Sequence, residues 1–211
     1  ATIPGFYDKV RSTSDEEVEG LLRTGFNQKD FAKDNELHSI RQMSDADAVR
    51  ALKTMPTFEV TGFHSGYAGE GIKTIVPHSA EAKISLRIVP DQTVEEVARM
   101  VTEFVKKLNP DVEVSLEKGL APYLADPKGP YCDALQRAVK SQLGKECVFD
   151  RAGGSIGAVD IMARNLKVPI IFFGISLPEH GYHAKNEYFD WQQADAGIKV
   201  FSEYFKEISK L

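Results

Sequence analysis

Ala82-Lys83-Ile84-Ser85-Leu86-Arg87-Ile88-Val89-Pro90-Asp91-Gln92-Thr93-Val94-Glu95-Glu96 holds the end of one kind of structure and the start of another. Apolar and polar residues alternate from Ala82 to Val89, the period of a strand buried on one side, and Pro90 stops the run. Thr93 followed three residues later by Glu96 predicts a capping box. The helix it opens carries Val97, Met100, Val101, Phe104, Val105 and Leu108 on one face and ends at Asn109-Pro110. Phe58-Glu59-Val60-Thr61-Gly62 alternates upstream and Val112-Glu113-Val114-Ser115-Leu116 downstream. The order strand, strand, helix, strand predicts a small antiparallel sheet covered on one face by helix. Between the first two strands, Gly66-Tyr67-Ala68-Gly69-Glu70-Gly71-Ile72-Lys73-Thr74 has the glycines of a shaped loop.

Outward from this core the pattern changes. Residues 1–55 are polar and irregular, with Ser14-Asp15-Glu16-Glu17 and Ser44-Asp45-Ala46-Asp47 suited to start short helices. Tyr131 to Leu143 and Ile156 to Asn165 have helical spacing, and Trp191 to Ile208 is a long amphipathic helix. Val168 to Ile175 is apolar on both faces, as a central strand is. Helices alternating with a buried strand predict one flank of an α/β sheet, joined to the first half through a connection near Glu117 to Asp126.

Composition narrows the function classes. The chain has 211 residues, 42% apolar and 27% charged, which suits a soluble globule, and its net charge of −5 comes without the basic stripe of a nucleic-acid binder. No apolar run approaches the roughly 20 residues that span a bilayer. Cys132 and Cys147 lack metal-ribbon or redox spacing and are expected as free thiols. Ala1-Thr2-Ile3-Pro4-Gly5 has no basic and apolar leader, so a cytoplasmic protein, and one cut from a longer chain, is expected.

Three segments can carry chemistry. Pro178-Glu179-His180-Gly181-Tyr182-His183-Ala184-Lys185-Asn186-Glu187 follows the apolar run, where α/β sheets place their ligands, though a His-rich loop can equally be structural, and one imidazole is only one bond to a metal. Asp150-Arg151-Ala152-Gly153-Gly154-Ser155-Ile156-Gly157 can offer backbone N–H groups to an anion at a helix start, or Ser155 can simply cap that helix. Arg87 shares a strand face with Lys83 and Ser85 and is either a solvated cation or a bidentate carboxylate grip.

Taken together, Gly69 to Pro77, Ala82 to Gln92, Gly153-Gly154-Ser155-Ile156 and Gly181-Tyr182-His183-Ala184-Lys185-Asn186-Glu187 resemble, in order and spacing, the two-zinc carnosinase, dipeptidase, aminoacylase and carboxypeptidase family of metallopeptidases, closest to its dipeptidase branch. The resemblance runs from Ile3-Pro4-Gly5 to the C-terminus. It implies a partial lid and dimerisation domain over residues 1–116 and the C-terminal part of a metal-binding α/β domain over 117–211. It also implies a parent enzyme about twice as long, whose N-terminal half brings the His-x-Asp pair, a bridging Asp, the Glu-Glu base and a further acidic ligand. None of these is found here, so the resemblance implies a C-terminal fragment, made by proteolysis or truncation or existing as one chain of a cleaved enzyme, and inactive alone.

Position by position, the resemblance makes His183 a metal ligand, Arg87 the lid arginine on the substrate's terminal carboxylate, Gly154 and Ser155 that carboxylate's supporting loop, and Thr74 a residue reaching a partner subunit's site. Lys118 stands in the pocket where the dipeptidase branch often has His, and His180 receives no role. Two divalent metal ions, expected to be zinc with manganese and cobalt open, a small peptide substrate, the missing half and a homodimer through the lid complete the expectation. An N-acyl amino acid deacylase and a noncatalytic dimerisation module are the alternatives.

Overall fold

A computed structural model describes residues 3–154 and 156–211. Their elements are α1 (Asp15–Leu22), α2 (Gln28–Asp34), α3 (Asp45–Thr54), β1 (Thr57–Ser65), β2 (Ala80–Arg87), α4 (Val94–Leu108), α5 (Pro130–Leu143), α6 (Gly157–Leu166), a single 3-10 turn at Pro178–His180, and α7 (Trp191–Ile208). The chain is α/β. It divides into one unit of Ala1–Tyr123 with Arg151–Gly157 and another of Leu124–Asp150 with Ala158–Leu211.

In the first unit, side-chain caps start the helices. Ser14 Oγ accepts from Glu17 N–H while the Glu17 carboxylate accepts from Ser14 N–H, a full capping box for α1. Ser44 caps α3 through Asp47 N–H and Thr93 caps α4 through Glu96 N–H. β1 and β2 run antiparallel with Thr57 opposite Arg87 and Ser65 opposite Ala80, and the register shifts between Val60 and Gly62. Leu86 of β2 and Ile88 beyond it pack with Met100, Phe104 and Val105 on a core of Ile3, Phe6, Val97 and Val101. The buried Gln92 amide secures this core: its Nε2 donates to Phe6 O at 2.6 Å, and its Oε1 accepts from Val89 N–H at 3.2 Å.

Two expectations about strands are corrected here. Val112 to Leu116 joins no ladder among the described residues, and Val112 N–H turns back to Asn109 O at 3.3 Å, so the described sheet has two strands. Alternation makes a segment fit to face core on one side and water on the other, but a strand also needs a neighbour for its N–H and C=O groups. The sheet is also less buried than its pattern predicts: Val60 and Phe63 are 62% and 72% exposed, and of β2's apolar positions Leu86 is the one packed on α4.

In the second unit, α5 opens on Pro130, whose missing N–H is harmless there, and ends on Gly144 in the left-handed conformation at φ 66°. Leu135, Ala138 and Val139 of α5 pack on Val200 of α7, with Ile171, Phe173 and Tyr204 around them. Burying a side chain such as Leu135 contributes about 2 kcal/mol. Gly197 lets this packing close, because a Cβ there would stand 2.2 Å from Ile175 Cδ1. Val168 to Ile175, expected as a central strand, forms no ladder among the described residues and lies as an irregular run against α5 and α7. Ile171 and Phe173 of the run pack on the α5–α7 core. An apolar cavity of about 290 Å³ is bounded by Tyr131, Leu135, Phe173, Phe201 and Tyr204. Both cysteines are free thiols, and no described helix is long and apolar enough to cross a membrane.

Candidate functional site

The loop after the apolar run is tied at both ends. His180 N–H donates to Leu177 O at 3.0 Å, and Tyr188 N–H donates to His180 O at 3.0 Å, closing residues 180–188 on themselves. Within the loop, Ala184 N–H donates to Gly181 O at 2.8 Å and Glu187 N–H to Ala184 O at 3.3 Å. His183 and Asn186 hold φ of 60° and 64°, left-handed values that cost a non-glycine residue and persist where the surroundings enforce them. The His183 ring is exposed, stacks on Tyr182 with centroids 4.3 Å apart and an 18° interplanar angle, and makes no hydrogen bond to any described residue.

His180 is its opposite, 1% exposed. Leu177 N–H lies 3.1 Å from Nδ1, with Ser176 Oγ 3.3 Å away on the same side, and Asp190 Oδ2 lies 2.8 Å from Nε2. A backbone N–H can only donate, so Nδ1 is an acceptor and the ring's proton sits on Nε2, donated to Asp190. Asp190 Oδ1 accepts from Gln193 N–H at 2.8 Å and caps α7. The Gln193 N–H, first, and then the His180 hydrogen bond hold the Asp190 carboxyl below the usual carboxylate range. Tyr188 and Phe189 meet the His180 ring edge-on at 5.0 and 5.5 Å.

The other candidate residues belong to the first unit. Arg87 is the last residue of β2 and exposed; Thr74 lies in the exposed connection between β1 and β2; Lys118 is exposed in the irregular stretch after α4. Gly154 is exposed, and a Cβ there would meet nothing within 4 Å, so the chain itself leaves the space in front of that backbone open. Ser155 lies outside the described residues. Among the described residues, Thr74, Lys118 and Gly154 make no hydrogen bonds with one another.

Two features escaped the sequence reading. One is the buried His180–Asp190 pair, for which the signal was Asp190 standing one residue before an amphipathic helix, where a capping carboxylate has an oxygen to spare. The other is Arg151, just before the glycine pair, whose guanidinium meets Glu17 of the α1 capping box at 2.6 Å. The Ser14 N–H, foremost, with help from Arg11 and Arg151 and against its partial burial, lowers the Glu17 carboxyl below its ordinary value.

No group of three or more His, Cys, Asp or Glu side chains among the described residues could hold a metal ion. Neither ring nitrogen of His183 bonds to a described residue, so the side chain fits as one donor of a site shared with other ligands.

Comparison with known proteins gives a consistent picture. The sequence profile of peptidase family M20/M25/M40 matches residues 9–207. Beta-Ala-His dipeptidase of Homo sapiens is 22% identical over 215 aligned positions, which cover 99% of this chain and 42% of that protein. A Cys-Gly metallodipeptidase of Schizosaccharomyces pombe is 28% identical over 162 positions, 74% of this chain and 34% of that protein. The crystal structure of an M20 family metallo-carboxypeptidase, Sso-CP2 from Sulfolobus solfataricus, matches 100% of this chain and 49% of its own with a TM-score of 0.90 and 27% identity. The chain thus spans less than half the length of these relatives.

Proposed function

Because the chain belongs to peptidase family M20/M25/M40, we propose that it is part of a metal-dependent hydrolase of dipeptides or small peptides with a free C-terminal carboxylate. In this reading the chain contributes one metal ligand, His183, and the grip on that carboxylate. The observation that carries the proposal is the presentation of His183: an exposed imidazole whose nitrogens bond to no described residue, held in a left-handed backbone by a loop whose other histidine is locked inside. The names of the relatives, dipeptidases and a carboxypeptidase, support the substrate class.

A bound pair of divalent ions, zinc in this reading, supplies carbonyl polarisation and an activated water. The chain's own residues bind and orient. Arg87 offers a planar fork that pairs bidentately with a carboxylate, and the open backbone at Gly154, with Ser155 beside it, offers N–H donors. Fixing a free C-terminus in this way favours cleavage next to the chain end over cleavage of internal bonds. Thr74 and Lys118 complete the substrate contacts, Thr74 across a homodimer made through the lid. The exposed apolar side chains Val60, Phe63 and Ile84 support such a covered hairpin.

The general base and the remaining ligands come, in this proposal, from an N-terminal half of the same enzyme. Residues 1–116 act as lid and 117–211 as part of the catalytic domain. The full-length protein tests the reading: it should release both amino acids from free dipeptides, lose activity to a chelator and regain it with zinc. Activity that survives complete metal removal contradicts it. Preference for N-acyl amino acids over dipeptides makes it a deacylase.

A further inference from the structure

We infer that His180 is the positioning residue that holds the 181–188 loop in the conformation presenting His183. The inference rests on His183 being a metal ligand and concerns a side chain that the proposed reaction itself does not use. Three parts of the chain converge on the one ring: Leu177 N–H on Nδ1, Asp190 Oδ2 on Nε2, and the aromatic edges of Tyr188 and Phe189. Its backbone closes the same loop through Tyr188 N–H. The partners are rigid in turn, since Asp190 is fixed as the cap of an 18-residue helix. His180 therefore sets where the loop leaves the run before it and where it rejoins α7, and His183 lies between those two points. A ring nitrogen pair serves this purpose because acceptor and donor stand on one planar group, so satisfying Leu177 on one side fixes the donor aimed at Asp190 on the other. Groups bonded directly to a ligating side chain alter metal affinity about 10- to 100-fold when removed, and His180, which acts through the loop backbone, is expected at the lower end of that range.

The test uses the full-length protein, stripped of metal, as parent and as His180→Gln, His180→Leu and His183→Ala. Backbone hydrogen exchange is followed across residues 181–188, with the middle of α7 as reference, and zinc affinity is measured by competition with a chromogenic chelator. A glutamine amide carries an acceptor oxygen and a donor N–H spaced much like the two ring nitrogens; leucine fills the space and serves neither partner. The expected result is that His180→Leu exchanges its loop amides faster and binds zinc about tenfold more weakly, with α7 unchanged, while His180→Gln recovers most of both. Parental exchange and affinity in His180→Leu overturn the inference, and so does a loss that glutamine fails to rescue. If His180→Leu does not fold, His180→Asn, whose shorter amide reaches Leu177 but not Asp190, takes its place, and the same two results overturn the inference. Parental zinc affinity in His183→Ala refutes instead the ligand reading, and the exchange data still decide the role of His180.

Discussion

Asp190 divides its two oxygens between two partners: Oδ2 takes the His180 Nε2 proton at 2.8 Å and Oδ1 takes the Gln193 N–H at 2.8 Å. One carboxylate thereby starts α7 and anchors the loop that carries His183. Replacing Asp190 by Ala should lower Tm by several degrees and speed hydrogen exchange in 181–188, whereas Asp190→Asn, which keeps a capping oxygen, should lose less. The pH dependence has a fixed sign. The folded-state pKa is depressed, so the contribution is present above the unfolded value near 4 and disappears as pH falls through the folded value. Chemical denaturation of parent and Asp190→Asn should show a constant gap near neutral pH that narrows below about pH 4. A gap that widens in acid contradicts the assignment.

Arg151 and Glu17 join the glycine-pair segment to α1 at 2.6 Å, with both side chains mostly covered. Arg151→Ala should cost about 1 kcal/mol in urea unfolding, the upper end for a pair that retains some solvent contact. Because the Glu17 carboxyl is also held low, that difference should shrink as acid protonates it. An unchanged unfolding midpoint would show that the contact contributes nothing.

Cys132 and Cys147 both have thiol pKa values raised by burial, Cys132 also by the nearby Asp126 and Asp133. At neutral pH their thiolate fractions fall below that of a free cysteine, so both should react slowly with a disulfide reagent until the protein unfolds. Immediate stoichiometric labelling of the folded protein contradicts this.

The helices were legible because their signals are local. α7 starts at Trp191 and ends at Ile208 as its amphipathic pattern predicts, and α4 begins directly after Thr93, whose hydroxyl caps it. The α/β class followed from the same patterns. Val112 to Leu116 and Val168 to Ile175 misled because pattern reports what a segment could face, whereas a ladder depends on a second segment elsewhere in the chain. At the candidate site, His183 stood out through its surrounding motif. His180 did not, since its burial arises from Leu177 and from Asp190 ten residues on, a relationship visible only once the loop is closed.

Arg87 sits at the end of a strand, away from the His183 loop in sequence, and in the proposed reaction it positions substrate without touching the metals. In the full-length enzyme Arg87→Lys should reduce kcat/KM on free dipeptides about tenfold or more, since lysine keeps the charge and loses the fork, with metal content unchanged. C-terminally amidated dipeptides should show a much smaller loss. Equal losses on both substrates mean that Arg87 does not read the carboxylate.

Residues 1–211 alone should hydrolyse no dipeptide, because one imidazole cannot hold two ions and no group of three or more His, Cys, Asp or Glu among the described residues could hold even one. Metal-dependent turnover by this segment, shown by mass spectrometry to be free of any longer form, contradicts the division of labour proposed.

The most direct measurement is the zinc content of the full-length protein, parent against His183→Ala, by elemental analysis after identical loading and desalting, with dipeptide turnover read on the same samples. The account predicts that metal content and turnover fall together in the variant while its circular dichroism stays that of the parent. A variant that keeps the parent's full zinc content contradicts the assignment of His183 as the ligand this chain supplies.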